Sequence, residues 1–200
     1  MKPMFRTFVA TAVLTALSLP AFAAEKISLQ TLNKYFEDLK TAQAGFTQIN
    51  GDGSISAGTL MIKRPWKMRF EYKGDGTLVL ASARSVAIFD PKGDPQPETY
   101  PLKRTPLWLI LARDVDLTQN NTVIGHEFDG NATTLVAQDP NNPELGTIQM
   151  VFTDNPVQLR QWIVTDEVGS ATTVVLGAME TGLTIRNSVF DIGAEIQRRQ

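Results

Sequence analysis

Trp66-Lys67-Met68-Arg69-Phe70-Glu71-Tyr72-Lys73 alternates without a break. Trp66, Met68, Phe70 and Tyr72 share one side, and Lys67, Arg69, Glu71 and Lys73 share the other. A period of two marks a strand with one dry face and one wet face, because successive side chains leave a pleated backbone in opposite directions. Lys73-Gly74-Asp75-Gly76 follows it as a turn. Upstream, residues 55–63 read as the preceding strand, entered from the turn Asn50-Gly51-Asp52-Gly53. Asn-Gly and Asp-Gly accept the positive φ that tight hairpins require. Before that turn, Phe46 and Gln48 alternate with Thr47 and Ile49.

Farther out the same grammar repeats. Residues 78–81 and 85–89 read as short strands, and 90–97, with three prolines and a glycine, as a loop or sheet edge. Strands resume at 123–128 and 133–138, which flank Asp129-Gly130-Asn131. They continue at 147–153, 158–165, 172–177 and 185–190. In 147–153, Ile148, Met150 and Phe152 alternate with Thr147, Gln149, Val151 and Thr153. Two segments depart from period two. Residues 27–39 place apolar side chains at 29, 32, 35, 36 and 39, a helical spacing that Ser28 or Thr31 can cap. Thr105-Pro106 starts a second helix over 105–111, and Leu107 to Leu111 carry no polar side chain. A helix so apolar must be covered or must cover something. A short helical turn is expected at 114–119. The pattern therefore predicts an α+β fold. A large curved antiparallel sheet of about 10–11 strands forms an incomplete, half-open β-barrel, closed by short helices acting as a lid.

The 200 residues are 42% hydrophobic and 20% charged, enough for one substantial core. Residues 1–23 read as an export signal: Lys2 and Arg6, an apolar stretch from Phe8 to Leu19, Pro20, then Ala21-Phe22-Ala23 with cleavage after Ala23. The competing reading is a transmembrane anchor, for which the stretch is short. Cleavage leaves one domain over 24–200, with the periplasm as its destination, and moves the formal net charge from −2 to −4. No positive excess points to nucleic acid. With no cysteine and a single histidine, disulfides, thiolate sites and two-histidine metal centres are excluded.

Catalytic patterns are weak. The two Gly-Asp-Gly turns join strands, so they are not phosphate loops. His126 stands in a strand without an evident partner. The Asn50–Ser54 run lacks the later bidentate glutamate of a calcium loop. Asp166 and Glu167 beside Gly169 could form a carboxylate pair, but an exposed hairpin is the commoner use. Two features are left. Arg64 continues the side of Leu60 and Ile62, so its guanidinium either enters the apolar interior, where it needs acceptors, or ends the strand in solvent ahead of Pro65. The 105–111 helix either packs on the sheet as ordinary core or lids an apolar cavity.

At these features the chain resembles the family of periplasmic outer-membrane lipoprotein carriers, the LolA family. The resemblance runs through Ala44-Gly45-Phe46-Thr47-Gln48, Gly58-Thr59-Leu60-Met61-Ile62-Lys63-Arg64-Pro65 and the aromatic strand 66–72. It continues in Thr105-Pro106-Leu107-Trp108-Leu109-Ile110, then Gln158-Leu159 with Trp162 and Asp166. It implies a soluble carrier that binds the acyl chains of lipoproteins in a hydrophobic cavity. Such a carrier receives them from an inner-membrane ABC-type lipoprotein-releasing complex and hands them to an outer-membrane lipoprotein receptor. It implies a lid latch at Arg64 and a lid helix bearing Leu107, Trp108, Ile110 and Leu111. With the alternation, it implies an acyl-chain cavity of Phe46, Leu60, Ile62, Trp66, Met68, Phe70, Tyr72, Ile148, Met150 and Phe152. No enzyme activity, cofactor, metal or nucleic acid belongs to this reading, and the carrier is a monomer. Gln197-Arg198-Arg199-Gln200 follows soon after the last expected strand, where longer members carry an additional C-terminal strand or loop. Competing readings are a lipid- or envelope-stress-sensing domain on the same fold, and a hydrolase using Asp166, Glu167 or His126. The carrier suits the physics of its cargo, since each exposed methylene costs about 0.8 kcal/mol in water.

Overall fold

A computed structural model describes residues 25–94, 96–119 and 121–200; the expected signal, 1–23, lies outside the described residues. Among the described residues the strands are β1 (Thr41–Ile49), β2 (Ile55–Lys63), β3 (Lys67–Tyr72), β4 (Leu78–Ser82), β5 (Ser85–Phe89), β6 (Glu98–Pro101), β7 (Val123–Phe128), β8 (Thr133–Gln138), β9 (Thr147–Thr153), β10 (Gln158–Thr165) and β11 (Ala171–Thr181). The α-helices are α1 (Leu29–Asp38), α2 (Trp108–Leu111) and α3 (Ile192–Arg199). All strands join one antiparallel sheet in the order β6-β5-β4-β3-β2-β1-β11-β10-β9-β8-β7. Its two edges, β6 and β7, are consecutive in sequence. Pairing them would close a barrel. Instead, the 3-10 turn Leu102–Arg104 and α2 lie between them in the chain.

The concavity has a cause in the sequence. The β1–β11 register shifts between Ala44 and Phe46, and such a bulge bends and twists its strand. Gly45, Gly58 and Gly177 meet at this bend, where a Cβ on Gly58 would collide with the Glu71 carbonyl and the Phe46 ring. The concave face buries Phe46, Leu60, Ile62, Met68, Ile148, Met150 and Phe152 with Leu32 and Phe36 of α1 and Ile110 and Leu111 of α2. Ser28 caps α1 by accepting from the Thr31 N–H at 3.2 Å.

Several expectations change. Residues 185–190 are not a strand. They cross the convex face, with a 3-10 turn at Asn187–Phe190, and lead into α3, which Asp191 caps. Phe190 packs there on Leu78, Leu80 and Phe89. Arg69, expected on the wet row, is therefore covered and only 8% exposed. The sheet edge expected at 90–97 lies just after it, as β6 over Glu98–Pro101. Trp66 precedes β3 at φ 69, its N–H donating to the Leu111 carbonyl at 3.0 Å. The helix expected over 105–111 is a turn at Thr105 and Pro106 followed by the short α2. The helical turn expected at 114–119 is a side-chain turn, in which the Asp116 carboxylate accepts from the Thr118 N–H at 2.9 Å.

Candidate binding cavity

A cavity of about 770 Å³ opens between the β3–β6 half of the sheet, strands β10 and β11, and the residues entering α2. Phe70, Tyr72, Val79, Ile88, Trp162, Val164 and Val174 form its floor and walls. Tyr100, Thr105, Pro106 and Leu107 form its roof, and Gln48, Glu98, Arg104, Asp166, Glu167 and Ser170 its polar rim. An apolar interior under a polar, charged rim suits a ligand with an apolar body and a polar end.

Of the residues expected to line a cavity, Phe70 and Tyr72 do so, joined by Leu107 from the lid. Phe46, Leu60, Ile62, Met68, Ile148, Met150 and Phe152 share the concave face but fill the closed core. Phe46 supports the lining, its ring edge-on to both Phe70 and Tyr72 at 5.2 Å. Trp66 is not a lining residue; it stacks on Trp108 with ring centroids 4.2 Å apart. Ile110 and Leu111 are the buried residues of the lid helix itself. Period two gave no reason to select Val79, Ile88, Tyr100, Val164 or Val174. Val79 enters because it pairs with Phe70 across β3–β4, a register that sequence spacing does not reveal.

Besides the Trp66 N–H bond to the Leu111 carbonyl, side chains fasten the lid at three places. Of the two destinations open to Arg64, the structure takes the inward one. One terminal nitrogen donates to the Phe36 carbonyl near the end of α1, the other to the Ala112 carbonyl just past α2, at 2.6 Å. Its Nε is buried without a partner. Helix C-terminal carbonyls lack internal partners, which makes them natural acceptors here. The guanidinium also lies over the Phe36 ring at 5.5 Å. Burial lowers its pKa, opposed by Asp114 and Tyr35. The second fastening is the Trp66–Trp108 stack. The Arg84 guanidinium lies 5.9 Å from the Trp66 ring, and the Lys103 ammonium 5.1 Å from the Trp108 ring. The third is an exposed ion pair across the mouth, Arg104 to Glu167 at 3.9 Å.

The remaining candidates have local duties. His126 Nε2 lies 2.9 Å from the Ile27 carbonyl and ties the N-terminal segment to β7. The Asp166 carboxylate accepts from the N–H groups of Val168 and Ser170 at 3.0 and 2.8 Å, which closes a hairpin. Asp52 does the same for Ser54. Tyr72 donates to Gln48 at 2.7 Å, and burial chiefly pushes its pKa up to about 12. No group of three or more metal-ligating side chains occurs among the described residues.

The sequence profile of the family described as Outer membrane lipoprotein carrier protein LolA matches residues 37–193. An outer-membrane lipoprotein carrier protein of Azotobacter vinelandii is 27% identical, the alignment covering 94% of this chain and 93% of that protein. Among solved structures, a putative outer membrane lipoprotein-sorting protein domain from Vibrio parahaemolyticus superposes with a TM-score of 0.49 at 9% identity, over 84% of this chain and 97% of that one. A LolA superfamily protein from Nitrosomonas europaea superposes with a TM-score of 0.41 at 10% identity, over 82% and 98%.

Proposed function

Since the chain belongs to the LolA family of outer membrane lipoprotein carrier proteins, we propose that it is a periplasmic, non-enzymatic carrier. It holds the acyl chains of lipoproteins in the cavity below α2. The observation that carries this reading is an apolar cavity whose roof runs into α2, the end of which Arg64 holds through a main-chain carbonyl. Burial of acyl methylenes at about 0.8 kcal/mol each can replace such bonds when the roof lifts. On this reading the cavity of about 770 Å³ is the entry, and long acyl chains go deeper by lifting the lid and parting the core beneath it. Phe46, Leu60, Ile62, Met68, Ile148, Met150 and Phe152 are then the next surface the chains meet. Its methionines can repack around chains of varied length.

On this reading residues 1–23 are an export signal and 24–200 the carrier, a monomer without cofactor. The acylated cargo comes from an inner-membrane ABC-type lipoprotein-releasing complex and passes to an outer-membrane lipoprotein receptor. Against the hydrolase alternative, Asp166 and His126 already bond the backbone and Glu167 faces Arg104. The test is mass spectrometry of the protein purified from the periplasm, with Trp108 fluorescence followed during loading. Copurifying acylated peptides and a spectral shift on loading are the expected results. Unchanged fluorescence at saturation with a lipoprotein overturns the lifting lid, and turnover of an ester substrate overturns the carrier.

A further inference from the structure

Residues 102–113 hold three cations, Lys103, Arg104 and Arg113, and no acid, in a chain whose formal net charge is −2. All three are exposed. Arg84, also exposed, joins them, because its carbonyl accepts from the Leu102 N–H at 2.8 Å and so ties the β4–β5 turn to the start of this segment. Between Arg84 and Lys103 stands the Trp66–Trp108 stack, each ring with one of these cations against it. Leu107, Trp108 and Leu109 are half-buried, whereas Ile110 and Leu111 are buried. The segment thus has a dry inner side and an outer side of cations, tryptophan and part-exposed leucine. The acids around it are Asp114, next to Arg113, Glu167, opposite Arg104 at 3.9 Å, Glu98, which shares the cavity rim with Arg104, and Asp139, which lines a cleft together with Lys103, Trp108 and Leu109. They leave Arg84 and Lys103 without a carboxylate within ion-pair distance among the described residues.

We propose that the outer side of the lid docks on the surface of an anionic phospholipid bilayer. Cations alone would fit any acidic partner. The tryptophan pair distinguishes a membrane, because indole rings favour the boundary between headgroups and acyl chains, where one edge is wet and the other apolar. A basic face with tryptophan and leucine beside it is the composition of segments that lie in that boundary. Docking there sets the cavity mouth, whose roof begins at the same residues, against the bilayer. The lid then opens onto lipid and not onto water. The inference is independent of what the cavity holds, so it can fail while the carrier reading stands.

The experiment uses the purified, cargo-free protein and vesicles of phosphatidylcholine with or without phosphatidylglycerol. Co-sedimentation with the anionic vesicles, suppressed by high salt, is expected, with little binding to the zwitterionic ones. Each cation near an anionic surface is worth roughly fivefold in partition. Arg84→Gln, Lys103→Gln and Arg113→Gln together should lower partition about a hundredfold. The same loss of charge elsewhere, by Lys34→Gln, Lys73→Gln and Arg160→Gln, should change it far less, and circular dichroism checks that both variants are folded. Brominated lipid should quench the half-buried Trp66 and Trp108 and spare the buried Trp162. Equal binding to both vesicle types, or equal loss from both triple variants, overturns the proposal. So does absence of vesicle binding together with lid-dependent capture by a membrane protein complex in detergent, which would assign this face to a protein partner.

Discussion

Arg64 and Arg69 leave the same hairpin five positions apart in sequence, and each holds a helix against the sheet. They do so with opposite chemistry. On the convex side, Arg69 meets carboxylates, Glu71 at 2.7 Å and Glu195 of α3 at 3.3 Å, and also the Val189 carbonyl at 3.1 Å. Glu195 in turn receives Arg199 at 2.9 Å and Arg198 at 2.8 Å. On the concave side, Arg64 meets carbonyls and leaves its Nε unpaired. A buried ion pair that loses one partner costs about 3–5 kcal/mol. A charged hydrogen bond to a carbonyl contributes about 1.5–3 kcal/mol, and a helix-end carbonyl can turn to water when released. On the proposed function, one side of the barrel is built to stay shut and the other to open.

The largest effect that would break this contrast lies at Glu195. Glu195→Ala should lower unfolding stability by about 1.5–3 kcal/mol, read by urea denaturation, because Arg69 is left with the part-exposed Glu71 and the Val189 carbonyl alone. Joint replacement of Arg69 and Glu195 by Met and Leu should cost less than the single change. A loss under about 0.5 kcal/mol for Glu195→Ala would reduce this side to an ordinary surface contact. Acid sharpens the same point. Burial works against the charge of Glu195, yet Arg199, Arg69 and Arg198 outweigh it and hold its carboxyl below the usual value. Its contribution is therefore complete above the unfolded carboxyl range, near 4.5, and is lost as pH falls through the lower folded value. The acceptors of Arg64 do not titrate. Hydrogen exchange in that window should report a loosening α3 beside an unchanged α2, once the intrinsic pH dependence is removed.

Arg64→Leu comes next. It should leave global stability higher than Glu195→Ala does, while the amides of residues 108–112 exchange at least tenfold faster, since about 1.5–3 kcal/mol per bond no longer holds the lid. Acyl uptake should persist or rise, and hand-over to an outer-membrane receptor should change. Arg64→Lys should not restore the wild-type exchange rate, because one ammonium lacks the planar fork that reaches two carbonyls. Unchanged exchange and unchanged hand-over would make Arg64 as structural as Arg69.

The two sides differed in how far sequence could show them. Strands β2, β5, β7, β8, β9 and β10 have the bounds that alternation and turn chemistry predict. Arg64 could be singled out because it shares a side with Leu60 and Ile62 and is followed by Pro65. Arg69 could not, because its row reads Lys, Arg, Glu, Lys, a solvated face in any isolated strand. Only the path of residues 183–199 across that face makes it interior, and the short apolar run at 185–190 reads equally well as a strand. The cavity was half-legible for a similar reason. Alternation names the side a residue faces. Which part of that side stays open depends on how far α1 and the lid reach, and neither leaves a mark at the positions they cover.

Trp66 offers a smaller adjustment of the lid. Its ring on Trp108 is worth about 0.5–1.5 kcal/mol. Trp66→Ala should speed exchange of the lid amides by up to about tenfold and leave the α3 amides unchanged. Because Trp66 sits at φ 69, Trp66→Gly removes the ring and relaxes the backbone together. A faster lid in the alanine variant and a near-normal lid in the glycine variant would assign the holding force to backbone geometry and not to the stack.

The smallest effect belongs to Arg104 and Glu167. They face each other across the cavity mouth at 3.9 Å, with side chains 62% and 56% exposed. An exposed pair of this kind contributes about 0–1 kcal/mol and is screened by salt. Glu167→Gln should leave denaturation midpoints unchanged within error. If the pair closes the mouth at all, the effect is kinetic and electrostatic. Loading of an acyl probe should quicken by less than about fivefold at low salt, and wild type and variant should converge at high salt. Arg64→Leu should show no such convergence, because its bonds are half-buried and end on neutral carbonyls. A salt-independent gain in Glu167→Gln would mean that the glutamate hinders entry by its bulk or its own hydration. The mouth would then have no ionic gate, and the lid would rest on Arg64 and the tryptophan pair alone.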